Sequence, residues 1–206
     1  MRAKNWLNMG VLKIQEGDYS GAFKDYNQAL SIDPKFAEAY CNRGNVQYKL
    51  KNRLAALADY TLAIQFKKNF AEAYFNRGTL HSCLGDYLSA IADFEMVLRL
   101  DSVDAKAYYN LGNAFHRLGK LEIALDNYSE AIKIDDQYAD AYGNRGLALN
   151  KMQDTQGAVS DLRVAAGLYL SLRNMARYHQ LISMIEKLAP TPEFGDYVVQ
   201  NEVKRK

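Results

Sequence analysis

Residues 105–138 read AKAYYNLGNAFHRLGKLEIALDNYSEAIKIDDQY, a stretch of 34 residues that holds two amphipathic segments. The first runs from Ala105 to Leu118, with apolar residues at Tyr108, Leu111, Phe115 and Leu118. The second, from Glu122 to Ile134, follows a stripe that begins at Leu121 and returns at Leu125, Tyr128 and Ile132. Spacings of three and four place each set along one side of a helix. Gly119-Lys120 separates them, so the stretch predicts a helical hairpin.

The same stretch recurs. Gly10, Gly44, Gly78, Gly112 and Gly146 fall 34 residues apart without a slip. Ala22, Ala56, Ala90, Ala124 and Ala158 keep the same spacing, as do Trp6, Tyr40, Tyr74, Tyr108 and Tyr142. A further column holds Tyr26, Tyr60, Phe94, Tyr128 and Leu162, and another Ala29, Ala63, Val97, Ala131 and Ala165. Five glycines in register arise by chance on the order of once in a million. A fixed period of this length signals stacked supersecondary units. The small columns fit close helix crossings and the aromatics fill the spaces between them. Gly17, Gly85 and Gly119 suit a left-handed residue ending the first helix of a hairpin. Lys51 and Gln153 take that place in repeats two and five, where the turn is expected to be strained.

Composition agrees with an ordered helical chain: 206 residues, 49% hydrophobic, 24% charged and three prolines. The net charge of +2, from 26 basic and 24 acidic residues, gives no general attraction to nucleic acid or anionic membrane. No run approaches the roughly 18 apolar residues of a membrane span. Met1-Arg2-Ala3-Lys4-Asn5-Trp6 lacks the apolar core of a secretory signal. Cys41 and Cys83 occupy different repeats and positions, which predicts free thiols and, with the rest, a soluble intracellular protein.

Counting from residue 3, each repeat has an aromatic at position 4, Gly at 8, Ala at 20, an aromatic at 24 and a small residue at 27. This pattern resembles the tetratricopeptide repeat family over residues 3 to 170. The resemblance implies an all-α fold, an α-α superhelix that is a right-handed solenoid of five hairpins: 3–36, 37–70, 71–104, 105–138 and 139–172. Met175, Tyr178, Leu181, Ile182, Ile185 and Leu188 form one stripe on a last helix at about 173–189, expected to cap the apolar end. Residues 1–189 thus read as one solenoid, and 190–206, opening with Pro190-Thr191-Pro192, as a flexible tail. Pro34 occupies the family's proline position, while Lys68, Ser102 and Asp136 replace it, which questions the sharpness of those helix stops.

In the family, positions 2, 5, 6, 9, 12 and 13 of the first helix face a concave groove. Position 6 here is Asn8, Asn42, Asn76, Asn110 and Asn144, asparagine in all five repeats. An amide side chain donates and accepts, matching the alternating groups of an extended backbone. Asparagine is also a poor helix former, so a row of five on one face carries a cost. The row resembles the asparagines lining the superhelix of O-linked N-acetylglucosamine transferases. Asn45, Thr79, Asn113, Lys106, His116 and Arg117 make the expected groove polar and mildly basic, and Tyr48, Phe75 and Tyr109 offer flat surfaces. Glu38, Glu72 and Asp140 put negative charge along one rim. The expected partner is an extended segment of another protein, held by an adaptor, scaffold or assembly factor without a cofactor or metal. Alanine at Asn76 and Asn110 together is expected to weaken binding by at least ~1 kcal/mol.

Other readings compete. The family's carboxylate clamp would use Asn45, Asn76 and Lys106, but Cys41 stands where it needs a lysine and Asn110 where it needs an arginine. A substrate-recruiting or regulatory part of a larger enzyme is a further alternative. His81, His116 and His179 are scattered, with no metalloprotease, phosphate-loop or nucleophile-elbow motif, so the chain is read as no enzyme itself. Neither nucleic acid nor membrane insertion is expected. Arg43, Arg77 and Arg145 share position 7, and their repeats carry Asp59, Asp93 and Asp161 at position 23, which predicts an ion pair within each hairpin. Repeat four has Leu111 and Asn127 there instead. In the tail, Phe194, Tyr197, Val198 and Val199 are apolar residues that would suit docking.

Overall fold

The structure is a computed structural model that describes residues 2–189. The expectations for the tail at 190–206, including docking by Phe194, Tyr197, Val198 and Val199, lie outside the described residues. Eleven helices make up the regular structure among those described. The first helices of the hairpins are α1 (Ala3–Gln15), α3 (Ala37–Lys49), α5 (Ala71–Leu84), α7 (Ala105–Arg117) and α9 (Ala139–Lys151). The second helices are α2 (Tyr19–Ile32), α4 (Arg53–Phe66), α6 (Tyr87–Leu100), α8 (Leu121–Ile134) and α10 (Thr155–Ser171), and α11 (Met175–Leu188) follows. The chain divides into two compact units, Met1–Ala114 and Phe115–Lys206, with the division inside α7.

Each hairpin turn bends at one left-handed residue. Gly17, Gly85 and Gly119 supply it where the sequence has glycine, with φ of 81°, 83° and 76°. Lys51 and Gln153 adopt the same conformation at 64° and 66°, with a Cβ that this region disfavours. Asp18, Asp86 and Asp154 then open the second helices by accepting from the N–H three residues on, at 2.8–3.1 Å.

The helix stops do not need the family's proline. The second helices end at Ile32, Phe66, Leu100 and Ile134, one residue short of an extended Asp33, Lys67, Asp101 or Asp135. In three of these the aspartate Oδ1 accepts from the N–H two residues later, at 3.0–3.1 Å. That local turn competes with continuation of the helix, and at Asp101 and Asp135 it does so with no proline following.

The conserved columns within the chain form the interior. Ala22, Ala56, Ala90, Ala124 and Ala158 have no exposed surface, and the position-24 residues Tyr26, Tyr60, Phe94, Tyr128 and Leu162 are buried. A Cβ added at Gly44 would stand 2.7 Å from the Tyr60 ring, and one at Gly78 3.1 Å from Phe94. The first helix therefore sits directly on the position-24 ring, and glycine is what permits it.

Arginine fastens the hairpins as the sequence predicts. Arg43 grips Asp59 through Nε and Nη2 at 2.8 and 2.6 Å, and Arg77 grips Asp93 in the same way at 2.9 and 2.7 Å. In the second unit Arg145 does so with Asp161 at 2.7 and 2.8 Å. Each Nη1 also reaches the preceding hairpin, at Asn27, Thr61 and Ser129 respectively. One guanidinium thus joins three helices and stacks near Tyr40, Tyr74 or Tyr142. Repeat one has Met9 at this position, and Lys13 instead lies 2.7 Å from Asp25 Oδ2, outside hydrogen-bond angles.

In the second unit, α11 buries Tyr178, Leu181 and Ile185 with Val159, Leu162, Ala166 and Tyr169, while Met175 remains exposed. No helix among the described residues is long and apolar enough to cross a membrane.

Candidate peptide-binding site

The first unit brings α3 and α5 side by side, and the space at their junction is a pocket of about 330 Å³. Asn45, Tyr48 and Lys49 of α3 line it with Glu72, Asn76 and Thr79 of α5, and Tyr60 of α4 joins them. Asn76 donates through Nδ2 to Asn45 Oδ1 at 3.0 Å, and the Tyr60 hydroxyl donates to the same oxygen at 2.9 Å. Tyr60 is itself packed beneath Gly44, so the chain of bonds is anchored in the interior. Burial, followed by the neighbouring Cys41, Tyr48 and Glu72, pushes the Tyr60 hydroxyl up, and it stays a donor at neutral pH. The network fixes the rotamers of two amides while leaving Asn45 Nδ2 and Asn76 Oδ1 with no partner among the described residues. An amide NH2 group and an amide oxygen are thus held ready beside the pocket.

The surrounding side chains divide into platforms and supports. Thr79 Oγ1 donates to the Phe75 carbonyl at 2.9 Å, which leaves its oxygen as an acceptor. Tyr48 is exposed, with its hydroxyl 3.6 Å from Cys83 Sγ. Phe75 is half-buried and packs edge-on to Phe94 at 5.8 Å, so its ring supports the helix pair as much as it faces solvent. Cys41, at a position that faces the groove in the family, is fully buried. Burial raises its thiol well above the ordinary range, helped by the Glu72 carboxylate.

The asparagine row is not uniform. Asn8 is exposed, Asn42 is half-buried, and Asn76 takes part in the network. Asn110 donates instead to the Lys106 carbonyl of its own helix at 2.8 Å. One of its two N–H groups is spent locally, and the paired amides of the site are Asn45 and Asn76 rather than Asn76 and Asn110. Tyr109 and Asn113 are half-buried on α7, and Lys106 is exposed.

The second unit carries Asn144, half-buried, with His116 and the exposed Arg117. His116 Nε2 lies 2.8 Å from Lys151 Nζ. Burial, then Lys151 and Arg117, holds the imidazole below its ordinary 6.5, so it accepts from the ammonium as a neutral ring.

Three pairings are not visible in the repeat columns taken singly. Lys67 donates to Glu38 at 2.6 Å, the Tyr169 hydroxyl donates to Asp140, and Lys13 faces Asp25. The first two join positions 2 and 31 of one repeat across 29 residues, a spacing that a search for complementary columns would expose.

Comparison with known proteins agrees with this geometry. A TPR repeat profile matches residues 10–51, 83–119 and 112–153, and a tetratricopeptide repeat profile matches 37–70. A search of curated proteins finds no match. Among solved structures, MamA is 25% identical with a TM-score of 0.75, covering 80% of this chain and 96% of its own. YrrB, a TPR protein with an unusual peptide-binding site, is 22% identical with a TM-score of 0.73, covering 85% and 89%. The first TPR of Spaghetti (RPAP3), bound to the HSP90 peptide SRMEEVD, is 25% identical with a TM-score of 0.56, covering 57% and 94%. The profiles together span more than half of the sequence, and the chain belongs to the tetratricopeptide repeat family.

Proposed function

We propose that the chain is a protein-binding adaptor, and that the first unit holds an extended segment of a partner along α3 and α5. The hydrogen-bonded trio Asn45–Asn76–Tyr60 carries this reading. Its free donor and acceptor are fixed before any ligand arrives, which lowers the ordering cost of binding. An extended backbone presents the complementary pair at every residue. Binding of a peptide by the similar Spaghetti domain, and the peptide-binding site of YrrB, are consistent with such use of the fold.

A carboxylate clamp fits these residues poorly. Cys41 is buried where the clamp needs a lysine, and Asn110 turns back onto its own helix where it needs an arginine. Lys106 alone is a weak holder for a terminal carboxylate.

The test uses a peptide selected on the wild-type chain from a displayed random library. Asn45→Ala with Asn76→Ala should lower its affinity at least about fivefold, ~1 kcal/mol, with unchanged helical content. Equal affinity would remove the amide pair from recognition.

A further inference from the structure

Glu72 lacks a pairing that repeats two and five make. In repeat two, Glu38 at position 2 receives Lys67 from position 31 at 2.6 Å. In repeat five, Asp140 at position 2 receives the Tyr169 hydroxyl from position 31. Repeats one and four carry opposite charges at these positions in sequence, Lys4 with Asp33 and Lys106 with Asp135. Repeat three alone has two carboxylates, Glu72 and Asp101. Position 31 of this repeat therefore offers Glu72 no cation. Among the described residues no cation lies in ion-pair range of Glu72.

The same carboxylate lines the pocket. Around it, beside the open amide hydrogens of Asn45, the pocket offers acceptors whose own hydrogens are already committed. Thr79 has given its hydrogen to Phe75, Tyr60 to Asn45, and Asn76 Oδ1 remains open. Tyr48 adds an exposed aromatic ring. A carboxylate, neutral acceptors and an aromatic face together suit a guanidinium or an ammonium. A volume of about 330 Å³ is room enough for a long basic side chain.

Lys49 is the cation of the lining, and its place gives the site a polarity. The Asn45–Asn76 bond sets position 9 of α3 level with position 6 of α5. Lys49 is four residues beyond Asn45 and Glu72 four before Asn76, so their backbones are about 12 Å apart along the helices. A guest cation settles at the Glu72 end, and Lys49 faces the carbonyl or acidic neighbour that follows it.

We infer that this pocket takes an arginine or lysine side chain of the bound segment, with Glu72 as its counter-ion. The inference rests on the reading that the first unit binds an extended protein segment. A random peptide library displayed on phage, selected in parallel on the wild-type and Glu72→Lys chains, tests it. Wild-type selections should fix Arg or Lys at one position, and Glu72→Lys selections should lose it. Glu72→Gln, a conservative change at an exposed residue, should weaken a wild-type-selected peptide about tenfold without altering circular dichroism. Peptides that shift the Asn45 and Asn76 side-chain resonances yet carry no fixed basic residue, and bind Glu72→Gln equally well, overturn this inference and leave the adaptor reading standing. Failure to select any peptide that moves those resonances overturns both.

Discussion

Arg77→Leu removes the guanidinium that Asp93 depends on. Asp93 is 4% exposed and receives two bonds from Arg77, at 2.9 and 2.7 Å. Loss of one partner strands a buried carboxylate, a change that costs about 3–5 kcal/mol. The intact pair contributes far less than that, because desolvation offsets most of its attraction. Repeat four shows what replaces it: Leu111 with Asn127, whose Nδ2 donates to the Ile123 carbonyl of its own helix at 2.7 Å. An asparagine at position 93 has the Ser89 carbonyl available in the same way. Arg77→Leu alone should therefore destabilise by about 3 kcal/mol, and Arg77→Leu with Asp93→Asn by less than about 1.5 kcal/mol. Urea unfolding followed by far-UV circular dichroism gives the totals. Amide exchange in α5 and α6 localises the loss, since stacked repeats open in parts. A double variant that costs the sum of its single changes would refute the reasoning.

Gly44→Ala should cost about 1–3 kcal/mol, because its Cβ meets the Tyr60 ring at 2.7 Å, and a thermal melt should fall by about 5 °C. Lys51→Gly and Gln153→Gly relieve left-handed residues at 64° and 66°, so each should raise the unfolding free energy by up to about 1 kcal/mol, read as a higher urea midpoint. His116 should titrate below 6.5 by NMR, and Lys151→Met should move it back up. Since folding lowers that pKa, the unfolded chain binds the proton more tightly, and stability held above pH 6.5 should fall as pH drops through the folded value. Glu38 is held below 4.5, chiefly by the Lys67 hydrogen bond, so the stability from this pair is present above 4.5 and lost as pH falls through the folded pKa; Lys67→Met should remove that dependence.

The fold was legible because its determinants are local and repeated. Glycine and alanine at fixed offsets report helix crossings, and Arg43 with Asp59 reports a hairpin fastener, since both partners recur in register. The strained turns at Lys51 and Gln153 were visible as exceptions to a glycine column. The helix stops were less so, because Asp101 and Asp135 do by side-chain hydrogen bonding what the family does with proline. The candidate site was legible only in part. The amide row marks the right helices, but which amide meets which depends on how neighbouring helices are offset. Asn76 finds Asn45 at position 9, and Asn110 finds its own backbone. The burial of Cys41 and the hydroxyl of Tyr60 reaching Asn45 are properties of packing that position numbers do not carry.

Recognition through a partner's main chain is the claim on which the functional account stands. An ester scan of a selected peptide tests it directly, replacing one backbone N–H at a time by oxygen. On the wild-type chain, one or two esters should lower affinity about fivefold, and on the Asn45→Ala, Asn76→Ala chain the same esters should matter less than about twofold. Ester effects of equal size on both chains would contradict the account.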